Sequence, residues 1–387
     1  MIRIPVIGFL SLVLCNVIVQ AQDVDLSCTN YITVIAENGL VVDELNPDEH
    51  RAPASMVKLI LILMVAEGLE KGEWSLETPI TVTANAQAMG GTQVQVKAGD
   101  VFGLDALMQA VCVASANDGA YAVAEGLWGS KAGYLLAANA RAKELGMQDT
   151  TIRSVHGLPP SDGELADETT ARDLAILACA CVKKPQIMKW ARQKELVFRP
   201  GEDPKENTNK LLVRTPGCDG LKTGYTRAAG FCLTATAMRN DVRLITVVMG
   251  CPKLKDRFDM GSKLIEDGFA KVRRVRLLAA DTLVDPAITL RNAKQTTLRL
   301  APEHDVWITA KESDFPQMTL ETTAPTALQA PLAAGQQAGS VKVKLAGQVL
   351  AETPLRIPVA VEEPSLYWKL THRVQEKADE AHPAQGG

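Results

Sequence analysis

Ser55 and Lys58 are the first pair of side chains in the sequence whose spacing indicates chemistry. Pro53 precedes them, so Ser55 is predicted at the start of an apolar helix, on the same face as Lys58. A serine becomes nucleophilic when a base takes its proton, and a lysine can be that base once burial and neighbouring positive charge lower its pKa. The spacing therefore predicts a serine acylation site. A solvated serine beside a surface lysine is the alternative, although an apolar run starting at Lys58 does not favour it.

Ser115 and Asn117 form a second polar pair, at the junction of two predicted helices. Serine, asparagine and aspartate are favoured at helix N-caps, so a purely structural capping role is one interpretation. The functional interpretation makes Ser115 a proton relay to a leaving group. In that interpretation Asn117 hydrogen-bonds the backbone of a substrate.

Lys222, Thr223 and Gly224 form a third motif on a predicted strand. The lysine and the threonine would offer positive charge and a hydroxyl to a substrate carboxylate. The glycine would let a ligand backbone approach closely. The alternative is an edge strand that runs into a turn.

Composition limits the function classes that these motifs can serve. The chain has 387 residues, 47% of them hydrophobic and 22% charged, with a net charge of −4. These values are ordinary for globular domains and argue against a disordered chain or a multi-span membrane protein. The acidic balance and the 4% aromatic content argue against nucleic acid as a partner. The five histidines form no HxH or HExxH pattern, so we expect no metal site.

Periodicity divides the chain into two predicted bodies with a segment at each end. Residues 1–21 have one charge, Arg3, before an apolar run that ends in a small-residue pattern, which predicts a cleaved secretory signal. Residues 22–275 mix strands and helices, and the predicted elements are Tyr31–Ile35, Leu40–Val42, Ser55–Leu69, Leu104–Ala114, Asp118–Leu127, Leu135–Leu145, Thr169–Val182, Gly220–Lys222, Phe231–Met238, Val242–Met249 and Ser262–Val272. Residues 276–361 show short period-2 runs typical of an all-β sandwich.

The last predicted segment, residues 362–387, has apolar residues at helical spacing. Leu366, Leu370 and Val374 would share one face of a short interfacial helix. Five acidic and three basic residues weaken its attraction to anionic lipid. Peripheral contact with the inner membrane and a solvated or domain-docked tail both stay open.

Seven of the eight cysteines follow the predicted signal segment, an odd number for an exported chain. Cys179 and Cys181 point in different directions on a predicted helix and are poor partners for each other. Cys218, Cys232 and Cys251 lie near the third motif, and their pairing stays open. We expect buried free thiols.

The order of the three motifs, at a helix start, a helix junction and a strand, resembles the penicillin-recognising serine acyltransferases with their SxxK, SxN and KTG motifs. More specifically, the sequence resembles the low-molecular-mass penicillin-binding proteins, which are serine-type D-alanyl-D-alanine carboxypeptidases. The resemblance implies an α/β (α+β), β-lactamase-like domain with an antiparallel sheet, flanking helices and a helical subdomain. A small all-β sandwich domain would follow it.

The resemblance also implies catalytic roles. Ser55 would be the acylated nucleophile and Lys58 its general base. Ser115 and Lys222 would carry the proton to the departing D-alanine. The backbone N–H groups of Ser55 and Tyr225 would form the oxyanion hole. No metal or organic cofactor is implied.

Substrate-binding roles follow from the same resemblance. Thr223 and Arg257 would hold the terminal carboxylate, Gly224 would line the approach, and Asn117 would bind the peptide amide. Many relatives carry an arginine where this chain has Thr208, so anion binding would depend more on Arg257.

The implied activity is removal of the terminal D-alanine from peptidoglycan stem pentapeptides in the periplasm, with β-lactams as acylating inhibitors. Three alternatives are a DD-endopeptidase on crosslinks, a β-lactamase and a catalytically silent scaffold that binds peptidoglycan. Residues 164–168 do not fit the ExxLN loop of class A β-lactamases, and a silent scaffold has no need of all three motifs. His50 and His156 are interpreted as structural.

Overall fold

The computed structural model describes residues 28–159 and 164–371. The predicted signal segment 1–21 lies outside these residues, as does Val374 of the predicted tail helix. Residues 366–371 are helical, which agrees with the first part of that predicted helix.

In the described residues up to 356, the secondary structure comprises seventeen strands and nine α-helices, and residues 366–371 form a further helical segment. The strands are β1 (Asn30–Ile35), β2 (Val41–Leu45), β3 (Pro79–Thr81), β4 (Val101–Gly103), β5 (Glu195–Leu196), β6 (Lys205–Glu206), β7 (Cys218–Thr226), β8 (Gly230–Arg239), β9 (Val242–Cys251), β10 (Val272–Leu278), β11 (Val284–Arg291), β12 (Thr297–Pro302), β13 (Val306–Lys311), β14 (Thr319–Thr323), β15 (Ala327–Gln329), β16 (Gln337–Leu345) and β17 (Gln348–Arg356). The helices are α1 (Lys58–Lys71), α2 (Ala84–Gln87), α3 (Leu104–Val113), α4 (Asn117–Trp128), α5 (Lys131–Leu145), α6 (Ala171–Cys181), α7 (Pro185–Ala191), α8 (Leu211–Arg214) and α9 (Leu254–Lys271).

A five-stranded antiparallel sheet forms the centre of the first body. Its strand order is β2-β1-β9-β8-β7, which places β7, the strand of the third motif, at an edge. The predicted hairpin between β1 and β2 and the three later strands are confirmed, although β7 is longer than predicted. The sheet therefore fixes the third motif by its pairing with β8.

Helix α1 crosses the interior of this body. Ten of its residues are buried, so the apolar run after Ser55 has no solvent-facing stripe over most of its length. It ends at Gly72, whose φ of 71° is the left-handed conformation that glycine adopts readily at a helix C-terminus. The predicted helix is confirmed, and its burial takes Lys58 away from solvent.

Helix α9 is longer than predicted. It begins at Leu254 rather than Ser262, because Lys253 and Asp256 form a capping arrangement at its N-terminus. The backbone N–H of Lys253 donates to the Asp256 carboxylate at 3.2 Å. A lysine at the N-cap position is not a usual start signal, so the sequence pattern missed the first two turns. These turns contain Arg257.

The second body is all-β, as predicted. A six-stranded sheet has the order β14-β16-β17-β12-β11-β15, and β10 pairs with β13. Four of the period-2 runs, residues 296–300, 306–310, 318–323 and 341–345, lie on β12, β13, β14 and β16, whereas the run 355–359 overlaps only the last two residues of β17. Strands β10, β11 and β15 were not predicted, since their apolar residues do not alternate cleanly. Strand β10 follows α9 directly and spans the predicted boundary at 275. The division of the chain there remains a prediction.

The two bodies touch at the β1–β2 turn. The side-chain amide of Asn38 donates to the carbonyl of Thr309 at 2.9 Å, and the Thr309 hydroxyl donates to Glu37 at 3.0 Å. Gln348, on the second body, donates to the carbonyl of Asn38 at 2.8 Å. The turn between β1 and β2 therefore also contacts the all-β body.

Cys28 and Cys251 form a disulfide, so the expectation of free thiols is wrong for this pair. The bond joins the residues before β1 to the end of β9. The remaining described cysteines are free, and the expectation of buried free thiols is confirmed for Cys112, Cys181 and Cys232, whereas Cys179 and Cys218 are partly buried.

Replacing both Cys28 and Cys251 by serine is expected to lower the free energy of unfolding by about 2–5 kcal/mol, because the bond closes a long loop in the unfolded chain. Chemical denaturation of both proteins measures the difference. Cys179→Ser is the matched control, since that cysteine is free and partly buried. Equal stability of the double variant and the wild type would contradict the stabilising role.

Within the described ranges, no helix is long and apolar enough to cross a bilayer. The same residues contain no cluster of three or more histidine, cysteine or acidic side chains suited to a metal ion.

Candidate active site

The Ser55 hydroxyl and the Lys58 amine meet at the start of α1. A short 3-10 turn, Ala54–Val57, carries Ser55, and Lys58 is the first residue of the α-helix. The Lys58 Nζ lies 2.7 Å from the Ser55 Oγ. Ser55 is half-buried, whereas Lys58 is fully buried. The structure thus brings this predicted pair into direct contact and leaves the hydroxyl accessible.

Lys58 has two further partners from distant parts of the chain. Its Nζ donates to the Oδ1 of Asn117 at 2.6 Å and to the carbonyl of His156 at 3.0 Å. Burial lowers the pKa of Lys58 well below its ordinary value, and the positive charge of Lys222 lowers it further. A lysine with a pKa depressed in this way can be neutral near physiological pH and can accept a proton from Ser55.

Ser115 and Asn117 lie where α3 ends and α4 begins. Ser115 is buried and has a φ of 64°, a strained value for a residue with a side chain. The N-cap of α4 is Ala116, with no capping by a side chain, so the capping interpretation of this pair is wrong. Asn117 spans two segments, because its Oδ1 accepts from Lys58 and its Nδ2 donates to the carbonyl of Gly90 at 2.7 Å.

Lys222 is almost completely buried on β7. Its Nζ donates to the carbonyl of Thr223 at 3.1 Å. Burial lowers the pKa of Lys222 to about 7, and the positive charge of Arg257 also lowers it. The charge of Lys222 therefore acts on Lys58, and burial disfavours the charged form of both lysines.

Gly224 is required by the packing of β7 against the nucleophile segment. A Cβ at this position would lie 2.8 Å from the carbonyl oxygen of Pro53 and 3.2 Å from the backbone nitrogen of Ser55. The glycine was predicted to admit a ligand backbone. The structure shows that it admits the chain's own residues 53–55, which places the nucleophile beside the strand.

Tyr225 and Arg257 flank the end of β7. The ring of Tyr225 is half exposed and stacks on Phe231, with 4.1 Å between ring centroids. Arg257 is buried, and its Nη1 donates to the carbonyl of Gly224 at 3.0 Å. Burial lowers the pKa of Arg257 to about 10, so its guanidinium stays charged at neutral pH. The positive charge of Arg257 therefore lies against the backbone of β7, the strand that carries the third motif.

A turn at residues 153–157 presents the main chain to the site, and sequence reasoning missed its role. The Asp167 carboxylate accepts from the backbone N–H groups of Arg153 at 2.6 Å and Ser154 at 2.8 Å. The Ser154 hydroxyl donates to Asp167 at 2.5 Å and accepts from Gly157 N–H at 2.7 Å. This arrangement fixes the His156 carbonyl, which accepts from Lys58 and, at 3.3 Å, from Ser55.

The His156 ring takes no part in that contact. Its Nδ1 accepts from the backbone N–H of Leu158 at 3.1 Å, and the ring stacks near Tyr121. Burial lowers the pKa of His156 to about 4, helped by the charge of Lys58, so the ring is neutral at physiological pH. The structure supports the structural interpretation of this histidine.

Asp118 is a second carboxylate that sequence reasoning left out. It is buried and accepts from the backbone N–H groups of Val94 and Val96, each at 3.1 Å. It thereby anchors the loop whose Gly90 carbonyl holds Asn117. Its position next to Asn117 in the sequence was the signal that could have pointed to it.

Together these contacts describe a site for acyl transfer. A half-buried hydroxyl lies against a buried amine of lowered pKa, at a helix start, beside the edge strand β7. A nucleophile, a base and positive charge for an anionic ligand are the parts that such a reaction needs.

The sequence from residue 16 to residue 253 matches the family of D-alanyl-D-alanine carboxypeptidases. This match spans more than half of the chain. The chain belongs to the D-alanyl-D-alanine carboxypeptidase family. Residues 273–363 match a further family, the C-terminal domain of penicillin-binding protein 5. The predictions of the family, of the hydrolase class and of serine D-Ala-D-Ala carboxypeptidase activity are confirmed.

Individual relatives extend along most of this carboxypeptidase. It is 31% identical to the D-alanyl-D-alanine carboxypeptidase DacF of Bacillus subtilis, over 84% of this chain and 83% of that protein. Penicillin-binding protein 5 of Haemophilus influenzae has a similar structure, with a TM-score of 0.69 at 26% identity, covering 87% of this chain and 98% of that one. The ampicillin-bound penicillin-binding protein D2 of Listeria monocytogenes covers 63% of this chain and 98% of that one, at 30% identity and a TM-score of 0.57. The predicted fold class is confirmed.

Proposed function

We propose that this carboxypeptidase hydrolyses the terminal D-alanyl-D-alanine bond of peptidoglycan stem pentapeptides through an acyl-enzyme at Ser55. The contact of 2.7 Å between the buried Lys58 Nζ and the Ser55 Oγ carries the proposal. The same serine opens the ring of β-lactams and retains them as a covalent adduct. The ampicillin-bound relative supports this second reaction.

The catalytic steps use the two lysines in sequence. Lys58 takes the proton of Ser55 as the hydroxyl oxygen attacks the carbonyl carbon of the penultimate D-alanine. The backbone N–H groups of Ser55 and Tyr225 stabilise the oxyanion. Ser115 and Lys222 pass the proton that Lys58 took from Ser55 to the leaving nitrogen, and the C–N bond breaks to release D-alanine. Water then hydrolyses the ester and restores Ser55.

Substrate binding relies on the end of β7. The Thr223 hydroxyl binds the terminal carboxylate, and the buried charge of Arg257, held against the Gly224 carbonyl, favours that anion. Asn117 binds the peptide amide in the proposed complex. Its amide already bridges Lys58 and Gly90, and these two contacts use one of its two lone pairs and one of its two N–H groups, which leaves one of each for the substrate.

Incubation of the protein with a stem pentapeptide tests the proposed activity. We expect D-alanine and the tetrapeptide as products, and none from the same peptide ending in L-alanine. A crosslinked peptide dimer in a parallel reaction measures endopeptidase activity. Cleavage of the dimer without release of D-alanine from the pentapeptide would replace the proposed reaction by the endopeptidase one.

Replacing Lys222 by methionine is expected to move the acidic limb of the pH profile for acylation to higher pH. Below its pKa of about 7, Lys222 is charged and lowers the pKa of Lys58, so loss of that charge raises the Lys58 pKa. The rate of acylation by benzylpenicillin, measured against pH, reports the limb. Lys210→Met, at an exposed lysine paired with Glu206, is the control. An acidic limb at the same pH in Lys222→Met and the wild type would contradict the effect of the Lys222 charge on the pKa of Lys58.

The proposed setting is the periplasm, with export directed by residues 1–21. The helical residues 366–371 expose Leu366, Tyr367 and Leu370, which suits peripheral contact with the inner membrane. Sedimentation with vesicles of bacterial lipids, comparing the mature protein with a variant that ends at residue 361, tests this contact. Equal recovery of both proteins in the pellet would contradict it.

A further inference from the structure

A second threonine lies against the proposed carboxylate-binding hydroxyl. The Thr223 hydroxyl donates to the Thr208 hydroxyl, with 2.8 Å between the two oxygen atoms. Thr223 is 4% exposed, and Thr208 is half-buried. In the ligand-free protein, the Thr223 hydroxyl therefore donates its hydrogen bond to another side chain and not to a substrate.

The backbone around Thr208 is held on both sides. Its N–H donates to the carbonyl of Val113 at 3.1 Å, at the end of the helix before Ser115. The neighbouring Asn207 is buried and donates to main-chain carbonyls after α7. Asn209, also buried, donates to the carbonyl of Gly220 on β7 at 2.8 Å. These contacts fix Thr208 relative to both the second and the third motif.

The hydrogen bond between the Thr223 and Thr208 hydroxyls must reverse its direction when an anion binds to Thr223. A carboxylate only accepts hydrogen bonds, so Thr223 can bind it only by turning its proton away from Thr208. Thr208 can then turn its own proton to the Thr223 oxygen, since a hydroxyl both donates and accepts. A hydroxyl that accepts one hydrogen bond is a stronger donor in the next, because adjacent hydrogen bonds polarise each other.

The geometry points to Thr208 as a positioning residue that orients the Thr223 hydroxyl toward an anionic substrate terminus. It makes the site selective for ligands that end in a carboxylate over their uncharged derivatives. This role rests on the proposed function, in which Thr223 binds that terminus. Thr208 acts through Thr223 and has no contact of its own with the reacting atoms.

Acylation by benzylpenicillin and by its methyl ester tests this role. Benzylpenicillin would present a carboxylate to the Thr223 hydroxyl, whereas its methyl ester would present an uncharged ester group. We expect Thr208→Val to slow acylation by benzylpenicillin by about threefold to tenfold, the usual effect of one hydrogen bond. Acylation by the methyl ester should stay at its wild-type rate. Thr208→Ser, which keeps the hydroxyl, should restore the rate with benzylpenicillin.

A pentapeptide assay adds a second readout. For Thr208→Val, we expect a raised KM and a kcat near that of the wild type. Thr215→Val is the matched control, because the Thr215 hydroxyl, like that of Thr208, is hydrogen-bonded to another hydroxyl and donates to that of Ser262 at 2.9 Å. This control should leave both ligands unaffected.

Two results would overturn the role of Thr208. One is an equal loss with benzylpenicillin and its methyl ester, which would indicate a general structural effect. The other is an unchanged rate with both. A wild-type protein that forms no adduct and releases no D-alanine is a different result, since it contradicts the proposed function itself.

Discussion

Ser55→Ala is expected to abolish the covalent adduct with benzylpenicillin. The variant removes the only atom that attacks in the proposed mechanism, and the loss of a nucleophile typically costs at least about 10³-fold in rate. The Ser55 hydroxyl touches Lys58 and the His156 carbonyl but lies outside the main apolar core, so the fold should persist. Intact mass after saturating penicillin treatment measures the adduct.

A second serine provides the control for this experiment. Ser75 lies in the loop after α1, and its hydroxyl accepts from the backbone N–H of Glu77. Ser75→Ala should form the adduct in full. An adduct of unchanged mass on Ser55→Ala would show that another residue is acylated and would remove the basis for the proposed mechanism.

Lys58→Arg is expected to reduce acylation by at least about 10³-fold, although it preserves a positive charge. A guanidinium stays protonated in proteins and cannot accept the serine proton. The lowered pKa of Lys58, which arises from burial and from Lys222, serves the opposite purpose of making a neutral amine available. The rate of acylation by a fluorescent penicillin measures the effect.

Lys71→Arg is the matched control, because Lys71 is at the exposed end of the same helix and pairs with Glu73. That variant should react like the wild type. Thermal unfolding of both variants separates a loss of chemistry from a loss of fold. A folded Lys58→Arg protein with wild-type acylation would mean that Lys58 supplies charge only and that the base lies elsewhere.

The parts of the site that could be predicted from the sequence are those formed by side chains of recognisable type and spacing. Ser55 and Lys58 lie one helical turn apart, so their contact follows from helix geometry. The roles of the three motifs in catalysis and binding stay predictions. The likeness of the motifs to a family indicated that separate segments converge, which spacing alone does not establish.

The missed parts of the site are those where the main chain acts. The His156 carbonyl holds Lys58, and no side-chain pattern marks a carbonyl as functional. Asp167 fixes that turn from 13 and 14 residues away, through backbone N–H groups that every residue possesses. Such contacts depend on tertiary structure, so local sequence patterns do not report them.

A long-range disulfide and a local helix cap were also missed, for different reasons. Cys28 and Cys251 are 223 residues apart, and cysteine counts do not determine which cysteines pair. Helix α9 begins at a lysine N-cap, so its first turns, which contain Arg257, lay outside the predicted helix Ser262–Val272. The disulfide partner becomes apparent only once the sheet is assembled, whereas the contact between Lys253 and Asp256 is local but starts from a residue type that is unusual at an N-cap.

Release of D-alanine from a stem pentapeptide, compared between the wild type and Ser55→Ala, tests the central claim most directly. The wild type should release one D-alanine per peptide, and the variant should release none above the uncatalysed rate. Both proteins should show the same thermal unfolding. Equal release by both proteins, or none by a folded wild type, would contradict the acyl-enzyme mechanism at Ser55.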